Sequence, residues 1–147
     1  MFKIQTDAID LNKASEALAD PKCGAMVTFE GWVRNHHEGE QVLHLEYEAF
    51  TPLCTKEAEV IKQETYERFD VRHINCIHRV GFCEIGTLVV WVGVSSDHRK
   101  EAFDACEYYI NQLKVRLPIW KKETYTDGTS TWVKCLACHE QGTAHHH

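Results

Sequence analysis

The stretch AMVTFEGWVRNHHEGEQVLHLEYEA, residues 25–49, sets the fold class of this 147-residue chain. In its first part Val27, Phe29 and Val33 are separated by even numbers of residues, so they share one face of an extended segment. Alternation resumes beyond the polar loop NHHEGE at four apolar positions, Leu43, Leu45, Tyr47 and Ala49. Two alternating segments around a short polar loop predict a hairpin of antiparallel β-strands.

Two longer segments have the periodicity of amphipathic helices. The first begins at Pro52 and runs for roughly five turns, with its predicted buried face at Ala58, Ile61, Thr65 and Phe69. The second spans residues 97–117, with its predicted buried face at Phe103, Cys106, Ile110, Leu113 and Leu117. Pro118 ends this second helix, because proline has no amide hydrogen and disfavours helical geometry in the residue before it.

Shorter segments complete the predicted topology. Asp10 is placed to cap a brief helix that runs to Leu18. Four further segments have strand character, at residues 2–5, 71–80, 87–96 and 119–135, and the last of them forms a hairpin around Asp127 and Gly128. The middle two are joined by a turn around Glu84 and Gly86. Hairpins with helices between them, and no steady alternation of strand and helix, predict an α+β fold.

The composition indicates one soluble domain. No repeat or linker divides the chain, so residues 1–134 are predicted to form a single domain, followed by a tail at residues 135–147. A net charge of -6 argues against general nucleic-acid binding, which favours clustered Lys and Arg. The N-terminus lacks signal-peptide character and no apolar run is long enough to cross a membrane, so we expect a cytoplasmic protein without membrane contacts.

The seven cysteines are predicted to be free thiols, because their number is odd and they are scattered through apparent strands and helices. The segment CLACH, residues 135–139, has the spacing of a metal-binding pair and of haem attachment. A zinc site needs further ligands at a second position, and the chain offers no such pair, so we predict no metal and no cofactor. The terminal AHHH is typical of a purification-tag remnant and carries no functional argument.

The segment RLPIWKKE, residues 116–123, places two lysines side by side after a helix-ending proline and a tryptophan. Successive strand residues face opposite sides, so one of Lys121 and Lys122 faces inward. If it is Lys121, its amine lies among core side chains, where it would serve as a proton donor or nucleophile. The alternative for Lys122 is an ordinary exposed strand position.

Other cations occupy positions where an anion would be useful. His98, Arg99 and Lys100 lie in the first turn of the second helix, where the free amide groups already carry partial positive charge, so an anionic ligand would stabilise them. Lys114 lies beside the apolar stripe near the other end of that helix, and Arg34 ends a strand. Each of these also has an ordinary solvated interpretation. No chemistry is assigned to the histidines at positions 36, 37, 44, 73 and 78, because none has metal-ligand spacing.

The chain resembles a known family in six blocks that lie in the family's order between residues 24 and 133. The blocks are VTFEGWVRNHHEGE, LEYEAF, HRVG, SSDHRKEAFDAC, LKVRLPIWKKE and GTSTWV. Together they resemble the large, catalytic subunit of molybdopterin synthase. The resemblance implies an α/β hammerhead-type fold and a homodimer that binds two copies of a small ubiquitin-like sulfur carrier, as a heterotetramer. Residues 1–134 would then be one molybdopterin synthase catalytic domain.

The resemblance also implies a sulfurtransferase reaction and a set of site residues. The carrier's C-terminal Gly-Gly thiocarboxylate would supply sulfur to cyclic pyranopterin monophosphate, which becomes molybdopterin. The substrate-binding positions would be Trp32, Val33, Arg34, His98, Arg99, Lys114, Lys121, Lys122 and Glu123, with Lys114 and Lys121 catalytic. Where many relatives have Lys-Arg-Glu, this chain has Lys-Lys-Glu, which keeps the charge but loses the bidentate fork of arginine.

Two other functions fit the same residues. One is a lysine enzyme that forms a Schiff base with a phosphorylated carbonyl compound through Lys114 or Lys121. The other is a dimeric module that binds a ubiquitin-like tail without chemistry.

A distance along the second helix adds a further expectation. Arg99 and Lys114 are fifteen residues apart, which on one helix separates their Cα atoms by roughly 22 Å. A pterin monophosphate is much shorter. We therefore expect each site to combine His98 and Arg99 from one protomer with Lys114 and Lys121 from the other.

Overall fold

The computed structural model describes residues 1–134, which form two β-sheets and three helices around a common core. This arrangement confirms the α+β class. The predicted tail at residues 135–147, including the CLACH segment, lies outside the described residues. Within residues 1–134, no helix is both long and apolar enough to span a membrane.

The first sheet has the strand order β1 (Phe2–Gln5), β5 (His73–Arg79), β7 (Leu88–Ser96) and β2 (Ala25–Trp32). The pair β1 and β5 is parallel, whereas the β5–β7 and β7–β2 pairs are antiparallel. Strand β7 is buried along almost its whole length, which fits its central position between β5 and β2 and its cover of helices. The predicted strands at 2–5, 71–80 and 87–96 are confirmed.

The second sheet has the order β3 (His36–His37), β4 (Glu40–Ala49), β8 (Ile119–Tyr125) and β9 (Ser130–Lys134). A further short strand, β6 (Gly81–Glu84), pairs with β4 on the edge opposite to β8. Strand β6 was not predicted from the sequence, which indicated only a turn in this region. The β8–β9 hairpin is confirmed, and Gly128 in its turn has φ 88°, a conformation that glycine adopts without strain.

The predicted hairpin between residues 25–34 and 43–49 is wrong. Strand β2 pairs with β7 of the first sheet, whereas β4 belongs to the second sheet. The hairpin that does form is β3–β4, with Glu38 and Gly39 in a two-residue turn at φ 51° and 83°. Such a turn has the twist that two antiparallel strands need, so the polar loop closes on its own neighbours instead of on β2.

Three helices cover the sheets. Helix α1 (Leu11–Glu16) is capped by the Asp10 side chain, which accepts a hydrogen bond from the Lys13 amide, and it ends two residues before the predicted Leu18. Helices α2 (Thr51–Arg68) and α3 (Arg99–Arg116) are confirmed and pack against each other. Helix α3 lies across β7 and β2 of the first sheet, while Leu18 packs with Trp91 and Ile77 in a separate small cluster.

Two predicted core positions are exposed. Phe103 is 59% exposed, because the buried face of α3 is carried instead by Ala102, Ala105, Cys106, Tyr109, Ile110 and Leu113. Leu43 is 50% exposed and its neighbour Val42 is buried. The cause in β4 is a register shift between Val42 and His44, which reverses the side-chain alternation at that point. Leu45 and Tyr47 face the core as predicted.

Candidate active site

A cavity of about 460 Å³ lies between the two sheets and the C-terminal half of α3. Most of its wall is apolar and comes from β2, β4, β7, α3 and β8, including Phe29, Leu45, Val90, Leu113 and Ile119. Three cationic side chains also line it, namely Arg34, Lys114 and Lys121. An apolar cavity with a few converging charges suits an organic ligand that carries an anionic group.

Each cation reaches the cavity from a different element. Arg34 lies two residues beyond the end of β2. The intervening Val33 is fixed by hydrogen bonds from the Val33 amide to Thr87 O at 3.0 Å and from the Gly86 amide to Val33 O at 2.8 Å. Lys114 lies in the last turn of α3, where the helix dipole favours a positive charge. Lys121 is on β8, opposite Tyr47 of β4.

Lys121 points inward, as its alternation with Lys122 allows. Its side chain is 13% exposed, and its Nζ lies 3.2 Å from Oε2 of Glu123, two residues further along the same face of β8. The Glu123 side chain is only 1% exposed. A buried carboxylate of this kind needs a counter-charge and hydrogen bonds, and Lys121 supplies the charge.

The other oxygen of Glu123 accepts two more hydrogen bonds. His37 Nδ1 lies 2.6 Å from Oε1, and the Tyr125 hydroxyl donates to the same oxygen at 2.7 Å. Burial alone would raise the pKa of Glu123, but the hydrogen bonds from His37 and Tyr125 and the charge of Lys121 outweigh it, so the pKa is lowered. Glu123 is therefore a carboxylate at neutral pH.

His78 adds a neutral polar group to the cavity wall. Burial lowers the pKa of His78 to about 4, so its imidazole is uncharged at pH 7. Nδ1 lies 2.7 Å from the carbonyl oxygen of Arg79, which can only accept, so Nδ1 carries the hydrogen and Nε2 carries a lone pair. The His78 and Tyr47 rings meet edge to face, with 5.6 Å between their centroids.

The structure brings together five of the nine predicted site residues at this cavity: Trp32, Val33, Arg34, Lys114 and Lys121. Glu123 joins them indirectly, through Lys121. Lys122 lies on the opposite face of β8, with its amine 6.0 Å from the centre of the Trp132 ring. His98 and Arg99 lie at the N-terminal end of α3, and neither lines the cavity.

No role was predicted from the sequence for four residues at or near the cavity: His37, Tyr47, His78 and Tyr125. His78 could have been found, because the alternation of side chains in β5 indicates which positions face inward, and His78 is one of them. His37 could not, since its contact with Glu123 joins residues 86 positions apart and depends on a hairpin that was not predicted. Among residues 1–134, no three His, Cys, Asp or Glu side chains are grouped to hold a metal ion.

Comparison with known proteins gives the family. The model of the family described as MoaE protein matches residues 4–116. The chain belongs to the MoaE family. A molybdopterin synthase catalytic subunit from Dictyostelium discoideum is 37% identical over 150 aligned positions, which cover 99% of this chain and 95% of that protein. MoaE membership thus gives this chain an enzymatic role in molybdenum cofactor biosynthesis.

Solved structures of MoaE relatives have the same fold. Molybdopterin synthase from Staphylococcus aureus superposes with a TM-score of 0.84 at 36% identity, over 90% of this chain and 96% of that one. A complex of subunits 1 and 2 of molybdopterin-converting factor from Helicobacter pylori superposes with a TM-score of 0.75 at 23% identity, over 90% of each chain. The two-sheet architecture around the cavity is therefore a family architecture.

Proposed function

We propose that this MoaE protein transfers sulfur from the thiocarboxylated C-terminus of a small ubiquitin-like carrier to cyclic pyranopterin monophosphate, and so forms the dithiolene of molybdopterin. The observation that carries this proposal is the cavity with Arg34, Lys114 and Lys121 on an otherwise mainly apolar wall. Apolar walls suit the ring system of a pterin, and the cations suit its phosphate and the negative charge that develops during sulfur attack.

The residues of the cavity divide into binding and chemistry. Arg34 offers a planar fork of donors, which matches a phosphate group. Trp32 and Val33 line the cavity beside it. Lys114 and Lys121 would donate protons and stabilise anions as the sulfur of the carrier attacks and its carboxylate later leaves. Glu123 would keep Lys121 in place, and Lys122 would act only outside this cavity.

The sulfur nucleophile would come from the partner, because no cysteine is among the residues that line this cavity. The described cysteines are free thiols, and burial raises the pKa of Cys54 and Cys106 to about 11, so both are unreactive as thiolates at pH 7. The Helicobacter pylori relative is a complex of subunits 1 and 2. A carrier in the role of the small subunit is the corresponding partner here, in the cytoplasm, bound to a homodimer of this chain.

The experiment that tests this proposal is a single-turnover reaction. Purified protein is mixed with thiocarboxylated carrier and cyclic pyranopterin monophosphate, and molybdopterin is detected as its oxidised fluorescent derivative. We expect product only when all three components are present. Binding of the carrier without product would favour a non-catalytic module, and trapping of a substrate on Lys114 or Lys121 by borohydride would favour a Schiff-base enzyme.

A further inference from the structure

His37 is held in a buried position by a short and well-defined hairpin. It pairs with Glu40 across the β3–β4 turn, and the ladder continues with a hydrogen bond from the Val42 amide to Asn35 O at 2.9 Å. The whole residue is 7% exposed, whereas its neighbour His36 on the other face is exposed. The hairpin therefore fixes the imidazole against β8 and leaves it little freedom.

The two oxygens of Glu123 have different partners. Oε1 accepts from the Tyr125 hydroxyl at 2.7 Å and lies 2.6 Å from His37 Nδ1. Oε2 faces Lys121 Nζ at 3.2 Å. Two contacts on one oxygen set the plane of the carboxylate, because rotation about the last side-chain bond would break both of them. The orientation of Oε2, and with it the position of the Lys121 ammonium at the cavity, follows from the contacts made on Oε1.

A carboxylate alone would hold Lys121 less well. The flexible four-carbon chain of lysine adopts many rotamers, and a single ion pair does not select one of them. The Glu123 carboxylate keeps one orientation only when Oε1 has its hydrogen-bond partners. The second nitrogen of His37, Nε2, lies 3.2 Å from Oε2 of Glu38. The Glu38 side chain is 71% exposed. The hairpin and the contact of Nδ1 with Oε1 thus fix the imidazole beside Glu123.

We propose that His37 is a positioning residue for the sulfur-transfer reaction, which orients the Glu123 carboxylate and, through it, the Lys121 ammonium. This inference rests on the proposed function. His37 does not line the cavity and would not touch the substrate. Its contribution would therefore depend on Lys121 being present, and it would change the rate of the chemical step more than the affinity for the pterin.

Three variants test the role of His37 in the full chain with the carrier and pterin substrates. His37→Phe keeps a ring of similar size but removes Nδ1, and we expect kcat to fall about 10- to 100-fold with KM for the pterin changed less than about 2-fold. His37→Asn places an amide nitrogen close to the position of Nδ1, and we expect it to recover most of the rate. His36→Phe is the matched control on the exposed face, and we expect wild-type kinetics.

A double-mutant cycle separates positioning from loss of structure. In a Lys121→Ala background, adding His37→Phe should lower kcat by less than about 2-fold, because the group that His37 positions is already gone. A purely structural role would reduce activity by the same factor in both backgrounds, and that result would overturn the proposal. Equal kcat values for His37→Phe and the wild type would also overturn the proposal. If His37→Phe does not fold, His37→Ala replaces it in the cycle, and a loss by the same factor with and without Lys121 decides against the proposal. Absence of turnover in the wild type would instead count against the proposed function.

Discussion

The two adjacent lysines of β8 have different surroundings because strand side chains alternate. Lys121 shares the inner face with the buried Glu123, whereas Lys122 lies over the ring of Trp132 on the outer face. A charge near apolar walls is screened less than one in water, so it stabilises a developing anion more strongly. The chemical importance of a cation in this protein therefore depends on its face of the strand.

Replacing either cavity lysine should reduce activity far more than stability. For Lys114→Ala and Lys121→Ala we expect kcat to fall by ~100-fold or more, because one lost electrostatic donor typically has an effect of that size. Lys121→Ala also removes one partner of buried Glu123, so its unfolding free energy should drop by about 1 to 3 kcal/mol. Kinetics and urea denaturation measure both effects. Lys56→Ala, at an exposed position of α2, is the control, and wild-type kcat in either folded cavity variant would contradict the assignment.

His78 should make stability depend on pH. Burial lowers its pKa from 6.5 to about 4 in the folded chain, so the unfolded chain binds the proton more readily between those values. The contribution of the neutral His78 ring to the unfolding free energy is fully present above about pH 6.5. It is lost as the pH falls towards about 4, by up to about 3 kcal/mol. Over the same pH range, the unfolding free energy of His78→Phe should therefore decrease less than that of the wild type, by up to about 3 kcal/mol.

Denaturant unfolding at a series of pH values tests this dependence. Carboxylates titrate in the same range, so the informative quantity is the difference in unfolding free energy between His78→Phe and wild type at each pH. His36→Gln, which replaces an exposed histidine, should follow the wild-type curve. A difference between His78→Phe and wild type that stays constant from pH 7 to pH 4 would show that His78 is not held neutral by the fold.

At the scale of elements, the sequence predicted which segments are strands more reliably than which strands pair. The alternation in β2 and β4 is a local property, and both strands exist. Their partners are β7 and β8, which are distant in sequence and are selected by burial of whole faces. The register shift at Val42 has the same origin, because only the pairing with β8 makes it necessary, and it is why Leu43 is exposed.

Gly93 leaves room on the first sheet for Leu18, which lies two residues beyond the end of helix α1. A Cβ atom at this position of β7 would lie less than 3.0 Å from Leu18 Cδ1 and from the indole ring of Trp91. Gly93→Ala should therefore lower the unfolding free energy by about 1 to 3 kcal/mol through overpacking. Thr28→Ala, directly opposite on β2 and exposed, is the control with an expected change within about 0.5 kcal/mol. Equal stability of the two variants would show that the Leu18 side chain and the Trp91 ring shift without a cost in free energy.

At the scale of the whole molecule, the cavity could not have been derived from periodicity. Its lining comes from β2, β4, β5, β7, β8 and α3, and sequence patterns give the inward face of each element but not their mutual position. The cations Arg34, Lys114 and Lys121 were candidates because of their charge, and the resemblance to the molybdopterin synthase catalytic subunit placed them in one site. His37 and His78 were missed because their partners, Glu123 and the Arg79 carbonyl, become apparent only once the sheets are assembled.

The length of α3 bears on how a complete site is built. Arg99 begins the helix and Lys114 lies in its last turn, which separates their Cα atoms by roughly 22 Å. Lys114 lines the cavity, whereas Arg99 and His98 do not. A single pterin monophosphate is too short to contact both ends of one helix. If His98 and Arg99 bind the substrate, they must do so in the cavity of a second protomer, related by a two-fold axis.

Mixing two inactive variants tests this shared site. Arg99→Ala and Lys114→Ala are each expected to be inactive as homodimers, because every site then lacks one of the two residues. In a heterodimer with shared sites, one site carries both substitutions and the other carries neither, so activity should return to about half of the wild-type value per dimer. The heterodimer is purified with two different affinity tags and assayed with the carrier and the pterin substrate. With sites built inside one protomer, both sites of the heterodimer stay damaged. A purified heterodimer without activity, beside a similarly tagged wild-type dimer with full activity, would show that Arg99 does not act in the partner's cavity.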